Sequence, residues 1–129
     1  MINQVRLAGA LGGDAGVREF QNGDRMVTLR LACTDRWTDE KGEKRETTSW
    51  FSICVFGRAR VERCRDLRKG QAVEIDGRLR TRKYQKDGRD VYVTEVVVDG
   101  PQHRCWPLDF GRRALTDDGA GDGAVPPEI

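Results

Sequence analysis

The chain predicts an all-β fold, with five strands closing into a small barrel and one short helix between the third strand and the fourth. Three observations carry this. In several stretches, Val5–Leu11, Val27–Thr34 and Val73–Tyr84, side chains of different character alternate with a period of two, as in strands with one covered face. The period lengthens toward three once, in residues 58–70. Two turn dipeptides, Asn22-Gly23 and Asp87-Gly88, separate strand-like runs as hairpin turns do. A split, mixed α+β sheet is the rival architecture for the same element order.

The first strand holds Val5, Leu7, Gly9 and Leu11 and runs into Gly12-Gly13-Asp14, a loop or bulge signal followed by VREF at residues 17–20. The second places Val27, Leu29, Leu31 and Cys33 on one face and Thr28, Arg30, Ala32 and Thr34 on the other. Residues 38–46 (TDEKGEKRE) read as a charged loop around Gly42. The third strand, residues 47–57, is apolar on both faces: Phe51, Ile53 and Val55 against Trp50, Cys54 and Phe56. In the helix, Val61, Cys64 and Leu67 recur three apart among charges, and Gly70 is placed to end it. Residues 71–85 and 89–100 supply the fourth and fifth strands. Five strands with a helix after the third is the plan of the OB-fold. Periodicity fades beyond Gly100. The expected division is an OB domain over residues 1–111 and a disordered, flexible, acidic Gly/Pro-rich tail over 112–129.

Composition narrows the function classes. The chain of 129 residues has 23 basic and 21 acidic side chains. All 23 bases lie at or before Arg113, with 17 acids, a net of +6 for that part; the remaining four acids lie beyond it. A basic body with an acidic end is one footprint of nucleic-acid binders. No apolar run reaches the roughly 20 residues of a membrane helix, and no basic lead precedes an apolar stretch at the start, so a cytoplasmic location is expected. Cys33, Cys54, Cys64 and Cys105 form no C-x-x-C pair and are expected to be reduced and mostly buried. The single histidine, His103, gives neither a zinc-ligand set nor a catalytic constellation with them. No metal and no cofactor is expected, nor an enzyme: nucleophile elbow and phosphate-cradling loop are both absent.

The run GRLRTRKY at residues 77–84 puts Arg78, Arg80, Arg82 and Tyr84 on one face of a strand, with Val73, Ile75 and Leu79 on the other. Such a face is either solvated surface or a binding surface. Likewise, Trp50 and Phe56 on the third strand are either buried or a stacking platform. Taken together, Trp37, Trp50, Phe56 and Tyr84 stand at strand ends among arginines and lysines, which suits a flat, negatively charged ligand. Single-stranded nucleic acid is such a ligand, because bases stack on aromatic rings and cations track phosphates.

These residues bring a resemblance into view. The segments NQVRLAGALGGD, VREFQNG, VTLRLACT, SWFSICVFGRA, LRKGQAVEIDGRLRTRKY and VTEVVVDG, spread over residues 3–100, make the chain similar to the bacterial single-stranded DNA-binding protein family. The resemblance implies an OB-fold and sequence-tolerant binding in replication, recombination and repair. It also implies a homotetramer and a cytoplasmic, nucleoid-associated location. It implies base stacking on Trp37, Trp50, Phe56 and Tyr84, with a basic path along Arg45, Arg58, Lys69, Arg80, Arg82 and Lys83. Two departures stand out: Phe51 occupies a position where the family often has His at a subunit contact, and the chain ends VPPEI. Without the family's Pro-Phe tip, recruitment of replication and repair proteins by the tail is in doubt. Three other readings remain: a single-stranded RNA or primosome-type OB module, an interaction protein with aromatics at subunit interfaces, and a small metal-dependent nuclease.

Overall fold

The computed structural model describes residues 1–108. The expected boundary after residue 111, the tail and Phe110 lie outside them. The described elements are β1 (Val5–Leu11), β2 (Gly16–Glu19), β3 (Arg25–Thr38), β4 (Lys44–Val55), α1 (Arg58–Cys64), β5 (Ala72–Lys86), β6 (Arg89–Val98) and β7 (Arg104–Pro107).

Five strands close the barrel in the order β1-β3-β4-β6-β5, and β5 pairs back onto β1 from Val5↔Gly77 to Ala10↔Ala72. The closing seam on the other side is parallel, with Cys54 opposite Val97 between β4 and β6. The inward residues are those the period of two selects: Val27, Leu29, Leu31, Ile53, Val55, Val73, Ile75, Val96 and Val98 are all buried. Val61 and Cys64 of α1 join the same core, with Leu67 beyond the helix. At about 25 cal/mol per Å² of apolar area removed from water, this interior is the main source of stability.

Several expectations need correction. The loop expected at 38–46 is shorter: β3 and β4 pair out to Thr38↔Lys44, leaving a turn of residues 39–43. The Asp39 carboxylate tightens that turn by accepting the Lys41 and Glu43 amides, each at 2.9 Å. An exposed two-stranded ribbon has water on both faces, so its charges give no strand signal. The helix ends at Cys64, well before Gly70. Gly70, at φ +86°, instead shapes a turn whose amide donates to the Leu11 carbonyl at 2.8 Å. Leu79 is not core but 45% exposed, because β5 has by then passed the barrel rim. Asn3 occupies its backbone, accepting from the Leu79 amide at 2.9 Å and donating to its carbonyl at 2.8 Å.

Two strands had no counterpart among the five expected. β2 pairs with β3 alone. β7 pairs with β5 from Val73↔Pro107 to Asp76↔Arg104, along the half of β5 that β6 does not reach. Arg63 covers its Trp106 at 4.2 Å from the ring centroid.

Candidate nucleic-acid interface

Register places one set of side chains on the outer wall of the barrel. Thr28 faces Cys54, Arg30 faces Ser52, and Ala32 faces Trp50 across β3 and β4. Arg80 faces Glu95, Arg82 faces Val93, and Tyr84 faces Val91 across β5 and β6. With Cys54 opposite Val97, the two halves form one surface. A groove of about 560 Å³ runs over it, lined in part by Arg18, Arg30, Cys54, Arg82, Tyr84 and Glu95.

Glu95 organises this wall. It is 4% exposed, yet it is charged and fully engaged. Its Oε1 accepts from Arg80 Nη2 at 2.7 Å and Arg82 Nε at 2.9 Å. Its Oε2 accepts from Cys54 Sγ at 3.3 Å. Burial pushes the Glu95 pKa up, but hydrogen bonds from Arg80, Cys54 and Arg82 outweigh that and hold it below the usual glutamate value. Burial and the neighbouring carboxylate push the Cys54 thiol up to about 11, so it remains a neutral donor. Two guanidinium groups against one carboxylate leave the wall positive, and the pairing fixes where that charge sits.

Each aromatic of the wall has an arginine beside it. Arg80 lies 5.8 Å from the Phe56 centroid, Arg82 5.7 Å from that of Tyr84, and Arg30 5.8 Å from that of Trp50. These are cation–π distances. Tyr84 is 37% exposed. Trp50 is half-buried, and its six-membered ring fills the space where a side chain on Gly12 would stand. Arg60 fixes the strand end that carries Phe56: its Nη1 donates to the Phe56 carbonyl at 2.8 Å, and its other nitrogens reach the carbonyls of Gly100 and His103. That helix arginine is a structural tie.

The structure thus gathers Trp50, Phe56, Arg80, Arg82 and Tyr84 on one wall, and disperses the other expected residues. Trp37, 48% exposed, pairs in register with Arg45 on the reverse face of the β3–β4 ribbon from Trp50. Arg45 is turned to its own turn, 3.0 Å from Asp39 Oδ2 and 3.4 Å from Glu43 Oε2. Lys83 lies on the opposite face of β5 from Tyr84, beside the exposed Tyr92 and 3.8 Å from Asp90. Lys69 is exposed, its amide donating to Asp14 Oδ1 at 2.9 Å at the groove's edge. Arg58 opens α1 and lines a second groove that begins at Phe56.

Sequence reasoning missed Glu95, Arg30 and Arg18 as members of this wall. Their parity along the strands was the available signal. His103 is accounted for structurally: its Nδ1 accepts the Asp99 and Gly100 amides at 3.1 and 2.8 Å. Among the described residues no cluster of His, Cys, Asp and Glu is suited to a metal. The four cysteines are free, three of them buried. Among the same residues, no helix is long and apolar enough to cross a membrane.

A closed five-stranded barrel with one short helix, carrying arginines and aromatics on its outer wall, is an OB-fold of the nucleic-acid-binding class. Residues 2–103 match the model of the Single-strand binding protein family, and the chain belongs to that family. Members of this family bind DNA and do not catalyse. The fold is similar to that of a Plasmodium falciparum SSB in complex with ssDNA, at 28% identity and a TM-score of 0.77, covering 84% of this chain and 96% of that one. It is also similar to a deletion mutant of the single-stranded DNA binding protein from Thermus aquaticus, at 33% identity and a TM-score of 0.70. That match covers 84% of this chain and 51% of the Thermus chain, so this chain corresponds to about half of it.

Proposed function

We propose that the chain binds single-stranded DNA irrespective of sequence, with bases stacked on Trp50, Phe56 and Tyr84 and phosphates held by Arg80 and Arg82. One observation carries this: Glu95 fixes both arginines beside the rings, so cation and stacking surface are positioned before the ligand arrives. Every base has a π-face, so stacking tolerates any sequence. Trp37, Arg45 and Lys83, on the outer arms, and Arg58 and Lys69, at the ends of the wall, extend the contact. The role that fits is protection of exposed strands in replication, recombination and repair, in the cytoplasm. The chain acts as a homotetramer, in which Phe51 supplies an apolar contact.

Titration with oligo-dT, followed by tryptophan fluorescence at low and high salt, tests the reading. Quenching is expected, with affinity falling as salt rises through loss of counterion release. Binding without quenching would remove base stacking on Trp50 and Trp37. Absence of binding by the folded protein would remove the function.

A further inference from the structure

The wall does not stop at Phe56. Phe20 follows Glu19 at the end of β2, and the even-numbered positions of that strand share a face with Met26, Thr28 and Arg30 of β3, through Gly16↔Thr28 and Arg18↔Met26. The Arg18 guanidinium sits 5.6 Å from the Phe20 centroid. This repeats, two residues apart on a strand, the arrangement of Arg82 over Tyr84 at 5.7 Å. Arg18 lines the main groove, while Phe20 and Phe56 both line a second groove of about 450 Å³ between the β2–β3 turn and α1. Val61 adds an apolar wall, and Arg25 and Arg58 add positive charge. Two carboxylates are also present, and both are engaged: Glu62 with Arg25 at 3.1 Å, and Asp24 with Asn22 at 3.0 Å.

We infer that single-stranded DNA continues past Phe56 into this second groove, with Phe20 as a further stacking platform and Arg18 and Arg58 as phosphate partners. The inference rests on the single-stranded DNA reading above and adds a subsite to it. The supporting argument is continuity, since Phe56 belongs to both surfaces. Matched chemistry supports it too, since each ring carries its own arginine, Arg18 beside Phe20 and Arg80 beside Phe56.

The test uses the full chain and dT oligomers of graded length, up to the roughly 16 nucleotides that one OB barrel can cover. Phe20→Leu keeps apolar volume under the turn and removes the ring. Expected is unchanged affinity for the shortest oligomers and a loss of roughly 5-fold or more for those long enough to reach the second groove. Tyr84→Ala is the control and should weaken binding at every length. Wild-type affinity for Phe20→Leu at all lengths, with Tyr84→Ala still impaired, would overturn the subsite and leave the DNA reading intact. An unaffected Tyr84→Ala would count against that reading itself. If Phe20→Leu is poorly folded, photo-crosslinking of the wild-type chain to 5-iodouracil oligomers decides. An adduct on Phe20 supports the subsite, and adducts on Tyr84 or Phe56 without one on Phe20 overturn it.

Discussion

On the β5–β6 hairpin, Arg80 and Arg82 converge on one buried carboxylate; on the β3–β4 hairpin, Arg45 reaches back to Asp39 and Glu43 in its own exposed turn. Both hairpins carry an aromatic beside the cation, Tyr84 in one and Trp37 in the other. The residue types are alike, and the environments are not. An exposed ion pair is screened and contributes little, whereas a desolvated one fixes its members. Arginines held in place before a ligand arrives lose less conformational freedom on binding. The wall should therefore supply affinity, and the arm a looser, adaptable contact.

The largest expected effect comes from removing the anchor. Glu95→Gln should destabilise the fold by roughly 1.5–3 kcal/mol, the usual worth of hydrogen bonds to a charged group, read from urea unfolding midpoints. The sign with pH follows from the same group. The Glu95 pKa is lowered in the folded state from an ordinary 4.5, so its stabilisation is complete above that value and is lost as pH falls below it. Wild-type Tm should drop through that acid window more steeply than that of Glu95→Gln. Equal slopes would mean that the carboxylate does not fasten the wall.

Next in size is Tyr84→Ala, expected to cost about 1–3 kcal/mol of oligo-dT affinity, the range for one stacked base. Trp37→Ala should cost about 1 kcal/mol at most in the same titration, since its ring stands on a ribbon with water on both sides. A Trp37 effect larger than that of Tyr84 would reverse the comparison. The smallest change is expected for Arg45→Gln. Its guanidinium stands at an exposed turn, on the reverse face of the ribbon from Trp50, so its contact is loose and the dependence of log affinity on log salt should stay within a few tenths of wild type. Arg82→Gln should flatten that slope by about 0.7, the value for one phosphate contact on a single strand.

The wall was legible because strand parity is a strict rule. Arg80, Arg82 and Tyr84 share a face by counting alone, as do Trp50, Cys54 and Phe56. The same rule separates Trp37 from Trp50, but only once the register across β3 and β4 is known, and that depends on the turn at 39–43. Glu95 was hidden by its chemistry. A lone acid in VTEVVV reads as the wet side of a strand, and only the fold brings two arginines and a thiol around it. β7 gave no signal because it is four residues long, ends in Pro107, and is set by a vacant edge of β5. Leu79 misled because parity shows which face a residue takes and not where the barrel ends.

The way the barrel closes also governs when the wall comes into being. Arg6 on β1 meets Glu74 on β5, partners 68 positions apart, and the parallel seam needs β6, the last barrel strand in the chain. Pairings this remote place the domain among slow folders. The Glu95 anchor lies in that last strand, behind the arginines it will hold. A nascent chain therefore has rings and cations before it has anything to fasten them. The wall is completed only when β6 arrives, and a product truncated before it would retain most of the proposed contact residues without the carboxylate that orders Arg80 and Arg82.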